Sequence, residues 1–115
     1  MTMSYTHPLR IFRAGPYQRR VGKLLNDVEW LRAEAEIVAY PEAWPVIAGT
    51  GGARKARVRR GARGKSGGAR VVYFYRPRAA EIYLIMIYAK SDQKELTNAQ
   101  KKEIRQIIAT IDRQL

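Results

Sequence analysis

The sequence predicts an α+β fold, with a helical hairpin and a C-terminal helix packed on a small, mainly antiparallel β-sheet. Three observations predict it. Apolar residues recur at helical spacing between Pro16 and Pro41, β-rich runs follow one another between Ala53 and Lys90, and a last helical stripe starts near Thr97. The connections between the β-rich runs are short. They favour antiparallel pairing, because a parallel crossover consumes a dozen or more residues. At 115 residues the chain is one domain's worth, and a single domain over 1–115 is expected.

Pro8 to Arg13 reads as a short edge strand, broken by Gly15-Pro16. Proline suits the first turn of a helix, where its missing N–H is not needed. That helix runs to about Leu25 with Val21, Leu24 and Leu25 inward. Asn26 reads as an N-cap because Glu29, three residues on, can return the capping hydrogen bond. The second helix carries Val28, Leu31, Ala35 and Val38 on one stripe, expected to face the core, and Pro41 ends it. Glu42 to Gly52 is a loop marked by Pro45, Gly49, Gly51 and Gly52.

Ala53 to Arg60 alternates as a strand, with Ala56 and Val58 on one side and Lys55, Arg57 and Arg59 on the other. Gly61 to Gly68 is a basic loop. Ala69 to Arg76 is a β-branched and aromatic strand, and Pro77 to Ala80 turns the chain. Glu81 to Lys90 is nearly all apolar, which predicts burial on both faces. Thr97 with Gln100 repeats the capping pattern ahead of a helix whose stripe is Ile104, Ile107, Ile108, Ile111 and Leu115. All helices are expected on one face of the sheet.

Charge is the most informative quantity. Twenty-two Lys and Arg face ten Asp and Glu, for a net charge of +12. Such an excess on a small surface concentrates polyanions, of which nucleic acid is the commonest. It is also unevenly placed. No acidic residue occurs from Ala43 to Ala80, a stretch that holds Arg54, Lys55, Arg57, Arg59, Arg60, Arg63, Lys65, Arg70, Arg76 and Arg78. A continuous segment of one sign points to an anion-binding surface more than to a solvated face.

Several chemistries are excluded or disfavoured. With no cysteine, disulfides, cysteine zinc sites and thiol nucleophiles are absent. His7 is the only histidine and lies in the N-terminal tail, which disfavours histidine-paired nucleases and triad hydrolases. Acidic residues do not cluster in the strand region, so no metal site is expected. Gly64-Lys65-Ser66 lacks the preceding glycine of a P-loop, because that position is Arg59. Gly49-Thr50-Gly51-Gly52 fails as a dinucleotide fingerprint, with Arg54 at the third glycine. Neither a signal peptide nor a membrane span is apparent, and a cytoplasmic protein is expected.

Arg, Lys and Tyr alone can still support RNA cleavage. The 2′-hydroxyl is an internal nucleophile, and its attack builds negative charge around phosphorus that fixed cations stabilise. A lysine crowded by other cations has its pKa lowered and can take up a proton. Unstacked bases of single-stranded RNA can lie on Tyr or Arg. Most strand aromatics, including Tyr73, Phe74 and Tyr83, read as packing residues. Tyr88, at a strand end beside Lys90, is the aromatic candidate for the site. Arg70, after Gly67-Gly68, is expected to stand exposed where a loop meets a rigid strand.

The segments Gly49 to Lys55, Gly64 to Tyr73, Ile82 to Leu84, Tyr88 to Lys90 and Leu96-Thr97 together resemble the RelE superfamily, in its HigB-type branch. The resemblance covers roughly Gly15 to Ile111 and is most specific from Gly49 to Tyr73. It implies a microbial-RNase-like α+β fold and a type II toxin that cleaves mRNA on the translating ribosome without metal or other cofactor. It also implies neutralisation by a helix-turn-helix antitoxin, with operator DNA bound only through that complex. Lys55 and Arg57 match the basic pair before the loop, Arg70 the phosphate-stabilising arginine, and Lys90 the lysine after the last sheet strand. With Tyr88 they form the expected catalytic set, and Arg54, Arg59, Arg60, Arg63, Lys65 and Arg76 the wider RNA-binding surface. Ser91 stands where some relatives carry arginine, and Leu96-Thr97 where some carry a catalytic tyrosine. Two alternatives remain open: a non-catalytic basic RNA- or ribosome-binding module, and a ParE-like gyrase inhibitor on the same fold.

Overall fold

The computed structural model describes residues 8–61 and 68–114. In chain order the elements are β1 (Arg10–Arg13), α1 (Gly15–Leu24), α2 (Asp27–Ala39), β2 (Arg54–Val58), β3 (Ala69–Arg76), β4 (Glu81–Ala89) and α3 (Asn98–Asp112). The strands form one sheet in the order β1-β4-β3-β2. β2, β3 and β4 pair antiparallel, whereas β1 runs parallel to β4 along one edge. The result is the expected α+β fold on a mainly antiparallel sheet, which the parallel edge strand β1 makes mixed.

The local signals act as expected. Pro16 stands at the start of α1. The Asn26 side chain accepts from the Glu29 N–H at 2.8 Å, and the Glu29 carboxylate accepts from the Asn26 N–H at 3.0 Å. The same reciprocal pair opens α3, where Thr97 Oγ1 accepts from the Gln100 N–H at 3.1 Å and Gln100 Oε1 accepts from the Thr97 N–H at 2.9 Å.

Two expectations fail, and both concern how helices meet the sheet. The helices do not share one face. Tyr17, Val21, Leu25, Ala33 and Ile37 of the hairpin pack on Ala56, Val58, Val71, Tyr73, Ile82 and Leu84. α3 covers the other face, with Ile104 and Ile108 against Ala53, Val72, Ile85 and Met86. A strand buried on both sides needs a layer on each, and β4 is such a strand.

The second failure is the rotation of α2. Its inward residues are Ala33, Glu34 and Ile37. Val28 and Leu31, expected inside, are 64% and 74% exposed. Ala35 is exposed too, and only Val38 of that stripe packs partly against the core. Glu34 explains the choice. Its buried carboxylate accepts from Arg13 Nε at 3.0 Å, Tyr17 Oη at 2.7 Å and Trp30 Nε1 at 2.6 Å. A carboxylate with that many donors tolerates burial, and the arrangement ties α2 to β1 and α1.

A β-bulge completes the frame. Val72 pairs with Met86 and Tyr73 with Leu84, so Ile85 is one residue more than β3 offers. The extra residue inverts the alternation of β4. Ile82 and Leu84 face the hairpin, yet Met86 and Tyr88 face α3.

Candidate functional site

β2 and β3 present their odd and even residues to opposite faces. Ala56 and Val58 fill the hairpin-side core, which turns Lys55 and Arg57 to the α3 side. Arg57 pairs with Arg70, and Arg70 pairs with Tyr88. Three side chains from three adjacent strands therefore form one row on the α3 face. Without the bulge, Tyr88 would point to the hairpin instead. Lys55 is one step along the same face of β2, opposite Val72.

The row runs from surface to core. Arg57 is exposed, Arg70 is 6% exposed and Tyr88 is fully buried. Arg70 is thus not the exposed strand-end arginine expected from the sequence. Its Nη1 donates to the Ala69 carbonyl at 3.2 Å. Burial and then the neighbouring Arg57 charge lower its pKa, while Tyr88 acts the other way. Burial raises the pKa of the Tyr88 hydroxyl, against the pull of Arg70 and with help from the Glu95 charge. Among the described residues, Tyr88 Oη has no hydrogen-bond partner. Buried hydroxyls rarely go unsatisfied, and one that does calls for an explanation, a catalytic role among them. Glu95, from the turn ahead of α3, reaches this site electrostatically.

Backbone contacts hold the margins. Gly68 adopts φ +55, and a Cβ there would stand 2.3 Å from the Val58 carbonyl oxygen, so only glycine fits. Its own carbonyl accepts from the Lys90 N–H at 3.0 Å, which places exposed Lys90 beside the end of β3. Arg60 Nε donates to the Leu24 carbonyl at 2.9 Å, and the Gly61 N–H donates to the Glu29 carboxylate. Gly49 to Gly52 is structural. Thr50 Oγ1 bridges the Ile47 carbonyl and the Ala53 N–H, and Arg105 Nη1 caps the Gly49 carbonyl at 2.6 Å.

Among the described residues, the wider set of basic side chains does not converge on the row. Arg54 faces away from the row and donates to the carbonyls of Trp44 at 2.6 Å and Glu42 at 3.2 Å. Arg76 lies at the far end of β3, with Nη1 3.1 Å from Glu81. Arg59 lies beside α2 in a shallow cleft with Glu29, Arg32 and Glu36. Arg60 serves the hairpin joint as described, and Arg63 and Lys65 lie outside the described residues. Lys55, Arg57, Arg70, Tyr88 and Lys90 are brought together, whereas among the described residues Arg54, Arg60 and Arg76 are engaged elsewhere.

The fold and this row define a small, strongly basic α+β protein with a cationic track on one sheet face. The family model of the RelE toxin of the RelE / RelB toxin-antitoxin system matches residues 9–114. The chain belongs to the RelE family of toxins of toxin–antitoxin systems. Among the described residues no helix is long and apolar enough to cross a membrane, and no group of His, Cys, Asp and Glu is placed to hold a metal ion.

Proposed function

We propose that this chain is a ribosome-dependent, metal-independent endoribonuclease that cleaves mRNA in the cytoplasm and so blocks translation. It is held in check by a helix-turn-helix antitoxin, and operator DNA is met only through that complex. The observation that carries the reading is the register-aligned row Arg57–Arg70–Tyr88, with Lys55 and Lys90 beside it.

The chemistry follows from those groups. The 2′-oxygen of one nucleotide attacks its own 3′-phosphorus, the bond from phosphorus to the next 5′-oxygen breaks, and a 2′,3′-cyclic phosphate and a 5′-hydroxyl end result. Arg57, at the exposed end of the row, receives the phosphodiester. Arg70, held by burial in a fixed orientation, stabilises the charge that grows on the non-bridging oxygens. Tyr88, fully buried beneath Arg70 and paired with it across the sheet, positions that guanidinium from the core side. We assign the proton transfers, from the 2′-hydroxyl and to the leaving 5′-oxygen, to Lys55 and Lys90, which flank the row.

The test is a translating ribosome programmed with mRNA that carries a single 2′-deoxy nucleotide at the cleaved position. The expected result is a 5′-hydroxyl end with the all-ribose message and no cleavage with the substituted one. Cleavage that persists through the deoxy substitution contradicts the mechanism. Arrest of DNA supercoiling with intact mRNA would instead favour a gyrase inhibitor.

A further inference from the structure

β1 is short, and where it ends a cleft opens. It pairs with β4 only as far as Arg13 opposite Leu84, and the Ala14 N–H then donates to the Leu84 carbonyl at 2.9 Å as the chain turns into α1. Among the described residues, no strand pairs with that edge of β4 beyond Leu84. The bulge at Ile85 turns Met86 to the α3 side, so the gap between α1 and α3 has a thioether floor. The cleft measures about 230 Å³, with Pro16, Arg19 and Arg20 of α1 on one side and Gln100 and Glu103 of α3 on the other. Opposite charges line it without meeting. Arg19, Arg20 and Glu103 are exposed, and their side chains join no ion pair among the described residues. Glu34 and Glu81, by contrast, each hold arginine in contact. Gln100 is fixed from behind, since its Oε1 accepts from the Thr97 N–H at 2.9 Å and from Gln93 Nε2 at 2.8 Å. Gly15 leaves room for the Arg19 guanidinium, because a Cβ there would stand 2.8 Å from Nη1.

We propose that this cleft is a base-reading subsite, which takes one unstacked guanine of a single-stranded RNA. The inference rests on the endoribonuclease reading for the class of ligand, and the cleft's own chemistry selects the base. Its volume lies below the roughly 300–1,000 Å³ usual for small-molecule sites. It has room for a purine ring, with the sugar and phosphate outside on the arginines. A phosphate inside would face Glu103, whereas a base carries donors and acceptors on one rim and meets both walls. Guanine alone among the four bases combines adjacent acceptors, O6 and N7, with adjacent N–H donors at N1 and N2. Arginine engages the first pair and a carboxylate the second. Pro16 and the Met86 thioether offer apolar contact to the ring. The location suits a strand already held at the row. Met86 and Tyr88 project to the same face two residues apart, about 7 Å along β4. The cleft opens beside β4 on the side away from Arg57, so the base it takes is a neighbour of the cleaved position along the strand.

The probe is a set of short oligouridylates, 2′-O-methylated to block cleavage, that carry one central guanine, adenine, inosine or 7-deazaguanine. Each is titrated against the purified full-length chain. The guanine oligomer should bind at least about 10-fold tighter than the adenine one. Inosine lacks the N2 amine and 7-deazaguanine lacks N7, and each should lose most of that advantage. Glu103→Gln gives the test its sign. Removing a negative charge strengthens non-specific binding to a polyanion. The variant should therefore hold the all-uridine oligomer at least as tightly as the unsubstituted chain, while its guanine advantage falls to about threefold or less. Arg20→Ala should weaken every oligomer and reduce the guanine advantage, whereas Arg113→Ala, at the exposed end of α3, should keep it. The modified bases, read on the unsubstituted chain, decide the matter if a variant melts early. Equal binding of the guanine and adenine oligomers overturns the proposal, as does a guanine advantage that Glu103→Gln leaves intact. Guanine preference with no mRNA cleavage on ribosomes would uphold the subsite and reject the endonuclease. Cleavage with no guanine preference would do the opposite.

Discussion

The two ends of the polar framework on the sheet treat buried groups differently. On the hairpin face the buried carboxylate of Glu34 is surrounded by donors from Arg13, Tyr17 and Trp30, and at the far end of the α3 face Glu81 is met in the same way by Arg10, Arg76 and Tyr83. At the other end of the α3 face two arginines lie side by side, and the tyrosine below them keeps a hydroxyl that no described residue satisfies. Satisfied networks rigidify a fold, while adjacent like charges and an unmet donor cost stability. The hairpin face and the Glu81 end read as the parts that hold the molecule together. The end with the paired arginines reads as the part kept ready for an anion.

That contrast can be broken by substitution. Arg70→Ala should have the largest effect, a loss of about 100- to 1000-fold in mRNA cleavage, or roughly 3–4 kcal/mol of transition-state stabilisation. Relief of the repulsion from Arg57 should leave its melting temperature close to normal, measured by thermal unfolding. A variant that loses activity only because it unfolds would assign Arg70 to the structure instead.

Glu34→Gln should do the reverse. Stability should fall by about 2–3 kcal/mol, below the full value of a buried pair because the Arg13 side chain is 38% exposed, with cleavage per folded molecule unchanged. The pH dependence has a definite sign. Burial pushes the Glu34 carboxyl up, but its bonds to Arg13, Tyr17 and Trp30 win, and its pKa lies below the ordinary value of 4.5. A depressed carboxyl stabilises the fold above its unfolded pKa and loses that contribution as pH falls through the folded one. Denaturant midpoints measured from neutral pH down through pH 4 should therefore drop for the unsubstituted chain and less steeply for Glu34→Gln.

Tyr88→Phe should separate the two ends most cleanly, although its effect is smaller. Removing a buried hydroxyl without a described partner should leave stability unchanged or raise it by about 1 kcal/mol, while cleavage falls roughly 10- to 100-fold. A fall in both would mean that the hydroxyl is structural. Arg76→Ala, at the far end of β3, should be the mildest. Its pair with Glu81 is shared with Arg10, so a loss within about 1 kcal/mol and unchanged cleavage are expected from the same two measurements.

Much of the frame was legible in the sequence, because its signals are local. Ala69–Arg76 is a strand over the expected residues, both capping boxes form, and Arg57, Arg70 and Lys90 come together at one sheet end. The misses are tertiary. Periodicity on α2 offers two apolar stripes, and only contacts from distant Arg13 and Tyr17 decide which turns inward. Alternation along β4 cannot reveal a bulge at Ile85, on which the facing of Tyr88 depends. Burial of both faces of β4 was expected, and that expectation already required helices on both sides of the sheet. The scatter of Arg54, Arg60 and Arg76 had no signal either, since a run of basic residues does not say which cations the backbone carbonyls and Glu81 will engage.

The most direct test of the central claim compares the unsubstituted chain with Arg70→Lys on ribosomes translating a defined message, with 5′ ends mapped and melting temperatures measured on the same preparations. Lysine keeps the charge but not the planar, multidentate fork. The account predicts discrete 5′-hydroxyl ends for the unsubstituted chain, their loss by at least about 10-fold for Arg70→Lys, and a melting temperature within a few degrees. Equal cleavage by both proteins, or no ends from either, would contradict it.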